Sequence, residues 1–311
     1  MAIYKFYNIQ LLPINTKEIP EVGEEGYCKL FEFLSEQIQE YKNNSYKISS
    51  IAVAMRGDML FAPFSVSNFD IPAGKGASKL IYGSFLKFDD INELFDTNSG
   101  ETEYVTKGNT SSKRFDFGFV FDPHHHVMAI HDAKGLPTRG PLINALRDIL
   151  EVHTQKHFKD YSLEIEELTS AESIKIFFDR KMSGFKKYDG YVTFSNSDKF
   201  NDYVDSIMVK EAEKELKDKS VGKWSVRYDS FKSSSMSELP EQAKIQMALA
   251  ARYGNVEISY LDEAGVKKKY VMEDYPVRES LNEKRTMGMR DKAIEIKNLI
   301  FKAIQKTIFK K

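Results

Sequence analysis

The stretch RFDFGFVFDPHHHVMAIHD, residues 114–132, decides the fold of the first half of the chain. Its first nine residues carry phenylalanine at every second position, 115 to 121, with aspartate, glycine and valine between them. Side chains alternate between the two faces of a strand, so this period predicts a half-buried strand with one aromatic face. Asp122-Pro123 then favours a turn, and VMAIH favours a returning strand. Together they predict a β-hairpin.

Strand and helix patterns alternate outward from this hairpin. Four segments before it have strand patterns: residues 4–14, 49–55, 59–66 and 78–88. Between the first two, the apolar stripe from Tyr27 to Tyr41 predicts an amphipathic helix. After it, Pro141 begins a second helix. Five further strand patterns, two of them in one hairpin, and three helix patterns follow, and a long amphipathic helix begins near residue 289.

This order predicts an α+β fold, built from two mixed modules of mainly antiparallel sheet with helices packed on one face. The strand–helix–strand–strand beginning is compatible with a ferredoxin-like module. A chain of 311 residues is long for one core, so we expect two domains. The predicted domains are residues 1–160 and residues 161–311, the second ending in the long basic amphipathic helix.

The formal net charge of -1 gives no overall attraction to nucleic acid, but the C-terminal region is basic. From Glu279 onward the sequence has nine basic and four acidic residues. Cys28 is the one cysteine, which fits a reducing compartment. No apolar run approaches the roughly 20 residues of a membrane span. We therefore expect a cytoplasmic protein without membrane insertion.

The histidines are the first candidates for chemistry, because four of the six lie at residues 124–131. Imidazole suits zinc and other transition metals, and Asp122 or Asp132 could complete a ligand set. His153 and His157 have the spacing of H-E-x-x-H, but Thr-Gln-Lys stands between them, so the general-base glutamate is absent. Consecutive histidines at a turn point in different directions. We therefore predict an ordinary polar turn, with no metal and no cofactor.

Acid–base chemistry without a metal is the second option, since an imidazole near its ordinary pKa exchanges protons at neutral pH. The catalytic candidates in the hairpin are His126 and His131. By the two-residue period of the returning strand, they lie on opposite faces and cannot easily serve one site. Lys134 and Arg139, near His131 in the sequence, could hold a phosphate.

A second catalytic pair is Arg147 and His153 in the helix after the hairpin. RDILEVH, residues 147–153, resembles the R-x(4–6)-H motif of the HEPN ribonucleases. That family is all-helical, whereas this helix lies among strands. Six residues also place the two side chains about 120° apart around a regular helix.

Dispersed basic residues are the candidates for nucleic-acid binding. They are Lys113, Arg114, Lys134, Arg139, Lys267, Lys268, Lys269, Lys284, Arg285 and Arg290. Aromatic neighbours such as Phe115, Tyr270 and Trp224 could stack on bases if they are exposed, although alternation favours burial of the phenylalanines.

The segments MAIYKFYNIQLLPIN and GYCKLFEFL, with FDPHHHVMAIHD and INALRDIL, resemble a group of bacterial proteins of unknown function and similar length. GYVTFSNSD, residues 190–198, is a weaker match. These proteins are often encoded near anti-phage defence genes. The resemblance implies a defence context, and it matches His126 to the single histidine of the hairpin in those proteins, which leaves His124 and His125 as turn residues. It implies no catalytic motif.

The resulting expectation is a defence component that binds single-stranded RNA or DNA, or a partner protein. One alternative is a ribonuclease effector that uses histidine acid–base chemistry. Another is a structural subunit of a defence complex, in which the last helix docks on another chain or on a second copy.

Overall fold

The computed structural model describes residues 1–15, 18–73, 76–89, 93–97, 99–105, 113–193, 207–219, 221–282 and 287–308. The chain divides into two compact units. The first unit contains Met1–Tyr4, Gly23–Lys159 and Ser280–Lys297, and the second contains Lys5–Val22, Asp160–Glu279 and Asn298–Lys311. The long middle segments meet between Lys159 and Asp160, where the sequence predicts the domain seam. Two shorter segments lie in the other unit from the sequence on either side of them: Lys5–Val22 belongs to the second unit, and Ser280–Lys297 belongs to the first.

Twenty helices and strands follow one another in the described residues. The first ten are β1 (Ala2–Pro13), α1 (Gly23–Asn43), β2 (Val53–Ala54), β3 (Met59–Ala73), β4 (Gly76–Asp89), β5 (Glu93–Phe95), β6 (Thr102–Val105), β7 (Arg114–Asp122), β8 (Val127–His131) and α2 (Arg139–His157). The next ten are β9 (Tyr161–Glu167), α3 (Ala171–Phe178), β10 (Met182–Thr193), α4 (Ile207–Asp218), β11 (Lys223–Asp229), α5 (Glu241–Tyr253), β12 (Gly254–Asp262), β13 (Lys267–Val271), β14 (Arg278–Leu281) and α6 (Met289–Lys306).

The predicted hairpin is the centre of the first unit. β7 and β8 pair antiparallel, with Asp122 opposite Val127, and residues 123–126 form the turn. Antiparallel neighbours continue the sheet in the order β8-β7-β4-β3-β2. β5 and β6 form a separate two-stranded ribbon.

The aromatic face of β7 packs against α1. Phe117, Phe119 and Phe121 are each at most 2% exposed. The ring of Phe31 in α1 lies 4.6 Å from the ring of Phe121 and 6.1 Å from that of Phe119. Each buried phenylalanine contributes roughly 1.5–3 kcal/mol by leaving water. The core of this unit is therefore the one that the period of two predicts.

The opposite face of β7 is covered by the beginning of α6. Gly118 and Val120 on this face lie beside Met289 and Ala293 of α6. The first turns of α6 thus lie beside part of this face, where Gly118 and Met289 stay exposed. The phenylalanine stripe marks the α1 face, but no comparable stripe marks the second, which has small and polar residues.

The second unit has its own antiparallel sheet, in the order β11-β10-β12-β13, and β1 and β9 pair antiparallel in the same unit. Its core contains Phe177, Tyr188 and Tyr270, and the rings of Phe177 and Tyr270 lie 4.5 Å apart. The α+β class predicted from the sequence is confirmed in both units. No helix within the described ranges is long and apolar enough to cross a membrane.

Two glycines in neighbouring strands provide a test of this packing. A Cβ atom at Gly83 would lie 2.0 Å from the Ser65 carbonyl oxygen and 2.8 Å from the Phe119 ring, whereas one at Gly118 would meet only the Gly83 carbonyl oxygen, at 4.0 Å. We expect Gly83→Ala to lower the free energy of unfolding by about 1–3 kcal/mol through overpacking. Gly118→Ala should change it by less than about 0.5 kcal/mol. Urea denaturation measures both, and equal losses would contradict this packing.

Candidate functional site

A cavity of about 180 Å³ lies between the sheet of the first unit and the first turns of α6. Its wall consists of Tyr4, Ser65, Tyr82, Gly83, Ser84, Gly118, Phe119, Val120, His131, Met289, Lys292, Ala293 and Ile296. These residues come from β1 and α6, near the two ends of the chain, and from the four strands β3, β4, β7 and β8 between them. The fold therefore assembles this site from segments that are far apart in the sequence.

Strand register explains why there is space at this point. Tyr82 pairs with Val120, and Ser84 pairs with Gly118, so their side chains share the face that α6 covers. Ser84 also lies opposite Ser65, and the two hydroxyl oxygens are 2.8 Å apart. Glycine and serine at adjacent positions leave a recess between sheet and helix, and they line it with hydroxyl groups.

His131 and Lys292 bring titratable and cationic groups to the same cavity. His131 is the last residue of β8, is half-buried, and its ring lies 5.5 Å from that of Tyr4. Lys292 belongs to the first turn of α6, where the helix dipole also favours an anion. Of the four predicted catalytic residues, His131 is the one that lines this cavity.

An aromatic and cationic series extends from the cavity along β3. The Arg290 guanidinium lies 5.3 Å from the centre of the Phe69 ring and donates a hydrogen bond to the Asp70 carbonyl oxygen at 3.1 Å. Phe69 in turn packs edge-on against Tyr82, with ring centroids 5.6 Å apart. Both rings are half-buried. Arg290, one of the residues predicted to bind nucleic acid, therefore contacts Phe69, and Phe69 contacts Tyr82. Tyr82 and His131 both line the cavity.

The hairpin turn holds a separate group of charges. Asp122 is buried, and its carboxylate accepts a hydrogen bond from the His124 backbone amide at 3.0 Å and lies 2.9 Å from Nδ1 of His125. Burial alone would raise the pKa of Asp122, but His125, Lys297 and the His124 amide together hold it below its ordinary value. This turn contains a contact between the Asp122 carboxylate and the His125 ring that the sequence did not predict.

His126 lies on the α1 side of the sheet. Its φ angle of 53° is in the left-handed region, and its ring stacks on Tyr27 of α1 with centroids 4.6 Å apart. His131 instead lines the cavity beneath α6. The hypothesis that these two histidines cannot share one site is consistent with these contacts.

His153 packs between helices α1 and α2. It is 5% exposed, and its Nε2 lies 3.2 Å from Oε1 of Gln37. Burial, together with the nearby charges of His157 and Lys156, lowers the pKa of His153 to about 4. Such an imidazole is neutral at pH 7 and accepts protons weakly. Its surroundings favour a packing role, and Arg147 on the same helix is half-buried.

The basic candidates around the hairpin have varied surroundings. Arg114 makes a two-pronged ion pair with Asp116 at 2.8 and 3.0 Å and lies over the Phe64 ring. The Lys113 backbone amide donates a hydrogen bond to the Asp89 carboxylate at 3.3 Å. Lys134 is exposed in the loop after β8, and Arg139 is half-buried at the start of α2. Asp116 offsets the charge that Arg114 would present to a phosphate.

The remaining basic candidates lie in or near the second unit. Lys267, Lys268 and Lys269 are exposed on β13, an edge strand of that unit's sheet, and Lys269 pairs with Glu257 at 2.7 Å. Lysines on an edge strand also prevent pairing with other chains. Lys284 and Arg285 lie outside the described residues.

Two other features do not provide a better site. Among the described residues, no group of three or more histidine, cysteine, aspartate or glutamate side chains could hold a metal ion. A larger groove of about 670 Å³ lies between α1 and β3. Its charged residues are Glu32, Glu36 and Glu40, whose carboxylates would repel a phosphate backbone.

Sequence reasoning missed Phe69, Tyr82, Ser65, Ser84 and Lys292. The available signal was the presence of small and polar residues, such as Ser65, Gly83 and Ser84, within the strand segments SVSNFD and KLIYGSFLKF. That signal identifies a face but not its neighbours, because the register between β4 and β7 and the position of α6 follow from tertiary packing.

The depressed pKa of His153 gives a pH test of its packing role. As pH falls below 6.5 the unfolded chain binds a proton first, whereas the folded chain resists protonation until about pH 4. The stabilising contribution of neutral His153 is therefore complete above pH 6.5 and is lost as pH falls through this window, at up to about 1.4 kcal/mol per pH unit. We expect His153→Gln to flatten urea-measured stability between pH 6.5 and 4, whereas His157→Gln should reduce the slope only in part, because burial, the larger cause of the lowered pKa, remains. Parallel pH curves for wild type and His153→Gln would rule out this role.

Comparison with known proteins identifies the family. A domain of unknown function, DUF4747, matches residues 5–298. The match includes most of both units, beyond the N-terminal half on which the resemblance in the sequence depends. No curated protein matches the chain. Since the match covers well over half of the sequence, the chain belongs to the DUF4747 family, a domain of unknown function.

Proposed function

We propose that this protein is an anti-phage defence component that binds single-stranded nucleic acid through its first unit. The interface consists of Arg290, Phe69, Tyr82 and Lys292, which run from β3 to the cavity under α6. Aromatic rings that stack on bases, combined with cations that neutralise phosphates, are the usual means of holding a single strand.

The observation that carries this proposal is the contact of Arg290 with the face of Phe69 and the edge-on contact of Phe69 with Tyr82. An arginine held over a half-buried ring keeps its charge at the surface while the ring retains an accessible edge or face. Lys292 adds a second cation one helical turn or less from Arg290, and Asp291 between them reduces the sum to one positive charge. The proposed contact is therefore local and uses stacking as much as charge.

Binding can be measured by fluorescence anisotropy with labelled single-stranded RNA and DNA of twelve nucleotides. We expect affinity to fall with salt, with a slope of about -0.7 in log K against log salt for each phosphate contacted. Phe69→Ala and Arg290→Ala should each weaken binding by about tenfold or more, because one base loses its stacking partner or one phosphate loses its cation.

Matched controls are available in the second unit. Phe231 is 86% exposed, and Arg227 is exposed and paired with Asp229 at 2.8 Å. Phe231→Ala and Arg227→Ala should leave the affinity unchanged. If replacing Lys267, Lys268 and Lys269 together by alanine abolished binding while Phe69→Ala and Arg290→Ala did not, the interface would lie on β13 and this proposal would be wrong.

A ribonuclease activity is the second candidate, favoured by the presence of His131 and Lys292 on one cavity wall. Histidine could exchange the proton of a ribose hydroxyl while lysine holds the phosphate. This candidate requires that the wild-type protein shortens a labelled RNA and that His131→Ala does not. Intact RNA after incubation with wild type would leave binding as the function.

The structural-subunit alternative has less support. The inward residues of α6, Ala293, Ile296, Ile300 and Ile304, are each at most 3% exposed within this chain. The apolar stripe that would dock on another chain is therefore already buried.

The defence part of the proposal is supported by the resemblance of the N-terminal and hairpin segments to proteins encoded near defence genes. It predicts that bacteria expressing the gene with its neighbours form fewer phage plaques, and that Phe69→Ala reverses this protection. Equal plaque numbers with and without the gene would contradict the defence role while leaving nucleic-acid binding to be judged by anisotropy.

A further inference from the structure

The cavity beside Tyr82 has the size of a single ring system. Its volume of about 180 Å³ equals that of roughly six liquid water molecules. One planar base with its exocyclic groups fits this space, and a nucleotide with its sugar and phosphate would have to leave those two parts outside. The cavity opens beside the residues that we propose to hold the strand.

We propose that this cavity receives one unstacked base of the bound strand and reads its polar edge, so that the protein prefers one base at that position. The inference rests on the proposed function, because it needs a strand held by Arg290 and Phe69. It adds a specificity that stacking and charge do not provide, since those contacts tolerate every base.

Three polar side chains on the wall have the chemistry to read a base. The hydroxyls of Ser65 and Ser84 form one hydrogen bond with each other at 2.8 Å, which uses one of their two protons. The pair thus presents the second proton as a donor and further lone pairs as acceptors. His131 contributes an imidazole, whose neutral form has one donor and one acceptor nitrogen. Base edges differ in their order of donors and acceptors, so such a wall discriminates between them.

The remaining wall supplies a stacking surface and a position for the backbone. Tyr82 offers an aromatic ring, and Val120 and Ala293 offer apolar contacts. Lys292 lies on the helical side of the same cavity, where a phosphate outside the cavity could approach its ammonium group. A base in the cavity would therefore have apolar contacts on its faces and polar contacts along its edge.

Gly118 lines the cavity at an exposed position and provides the test. A Cβ atom there would meet only the Gly83 carbonyl oxygen, at 4.0 Å, so the first side-chain carbon fits without a clash. Glycine in a strand interior costs stability, and valine is favoured in strands. Gly118→Val therefore fills the cavity and should keep the fold.

The experiment compares wild type, Gly118→Val and Gly140→Val in anisotropy titrations with oligomers of U, C, A and dT. Gly140 is the control, because a Cβ atom there also meets nothing within 4 Å but lies in α2, away from the cavity. Wild type and Gly140→Val should bind their best oligomer at least about tenfold more tightly than their weakest. Gly118→Val should reduce this ratio to about twofold and keep the affinity for the weakest oligomer.

Each outcome decides a separate question. Equal affinity of wild type for all four oligomers, or an unchanged preference in Gly118→Val, overturns the base pocket and leaves the proposed function intact. No binding of any oligomer by wild type overturns the proposed function itself. If urea denaturation shows that Gly118→Val is unfolded, Ser84→Ala decides instead, because it removes a reading group from an intact cavity. An unchanged preference in that variant overturns the inference.

Discussion

The first unit depends on the two faces of β7. Its phenylalanines occupy every second position and pack against α1, which leaves Gly118 and Val120 to face α6. A slip of one residue in the pairing of this strand would exchange the faces and place three buried rings in the cavity. The same alternation that builds the core therefore also creates the recess on the other side.

Functional groups then reach that recess from distant parts of the chain. Register between β4 and β7 places Tyr82 and Ser84 on the recessed face, and the hairpin ends there with His131. The first turn of α6 adds Arg290 and Lys292, which are more than 150 residues away in the sequence. The strands supply a rigid wall with small side chains, and the helix supplies charge. With this division, a chain with a net charge of -1 would offer the proposed strand a local cationic site.

The hairpin, the stripe of α1 and the opposite placement of His126 and His131 could be predicted from the sequence, because each follows from a local period of two or 3.6 residues. The neighbours of Arg290 could not, since its contact with Phe69 joins two segments whose separation carries no periodic signal. Asp122 was assigned to a turn correctly, but its contact with the His125 ring depends on the geometry of that turn. The sequence also does not show that Lys5–Val22 belongs to the second unit and Ser280–Lys297 to the first, because this assignment follows from long-range packing.

The central claim is that a single strand lies across Phe69 and Tyr82 and reaches the cavity under α6. Ultraviolet cross-linking of the protein to a single-stranded oligonucleotide, followed by mass spectrometry of the digested complex, tests it most directly. Adducts should map to the peptides that contain Phe69, Tyr82 and His131, and an excess of unlabelled strand should remove them. Adducts confined to the second unit, for example on Trp224 or Phe231, would contradict the claim.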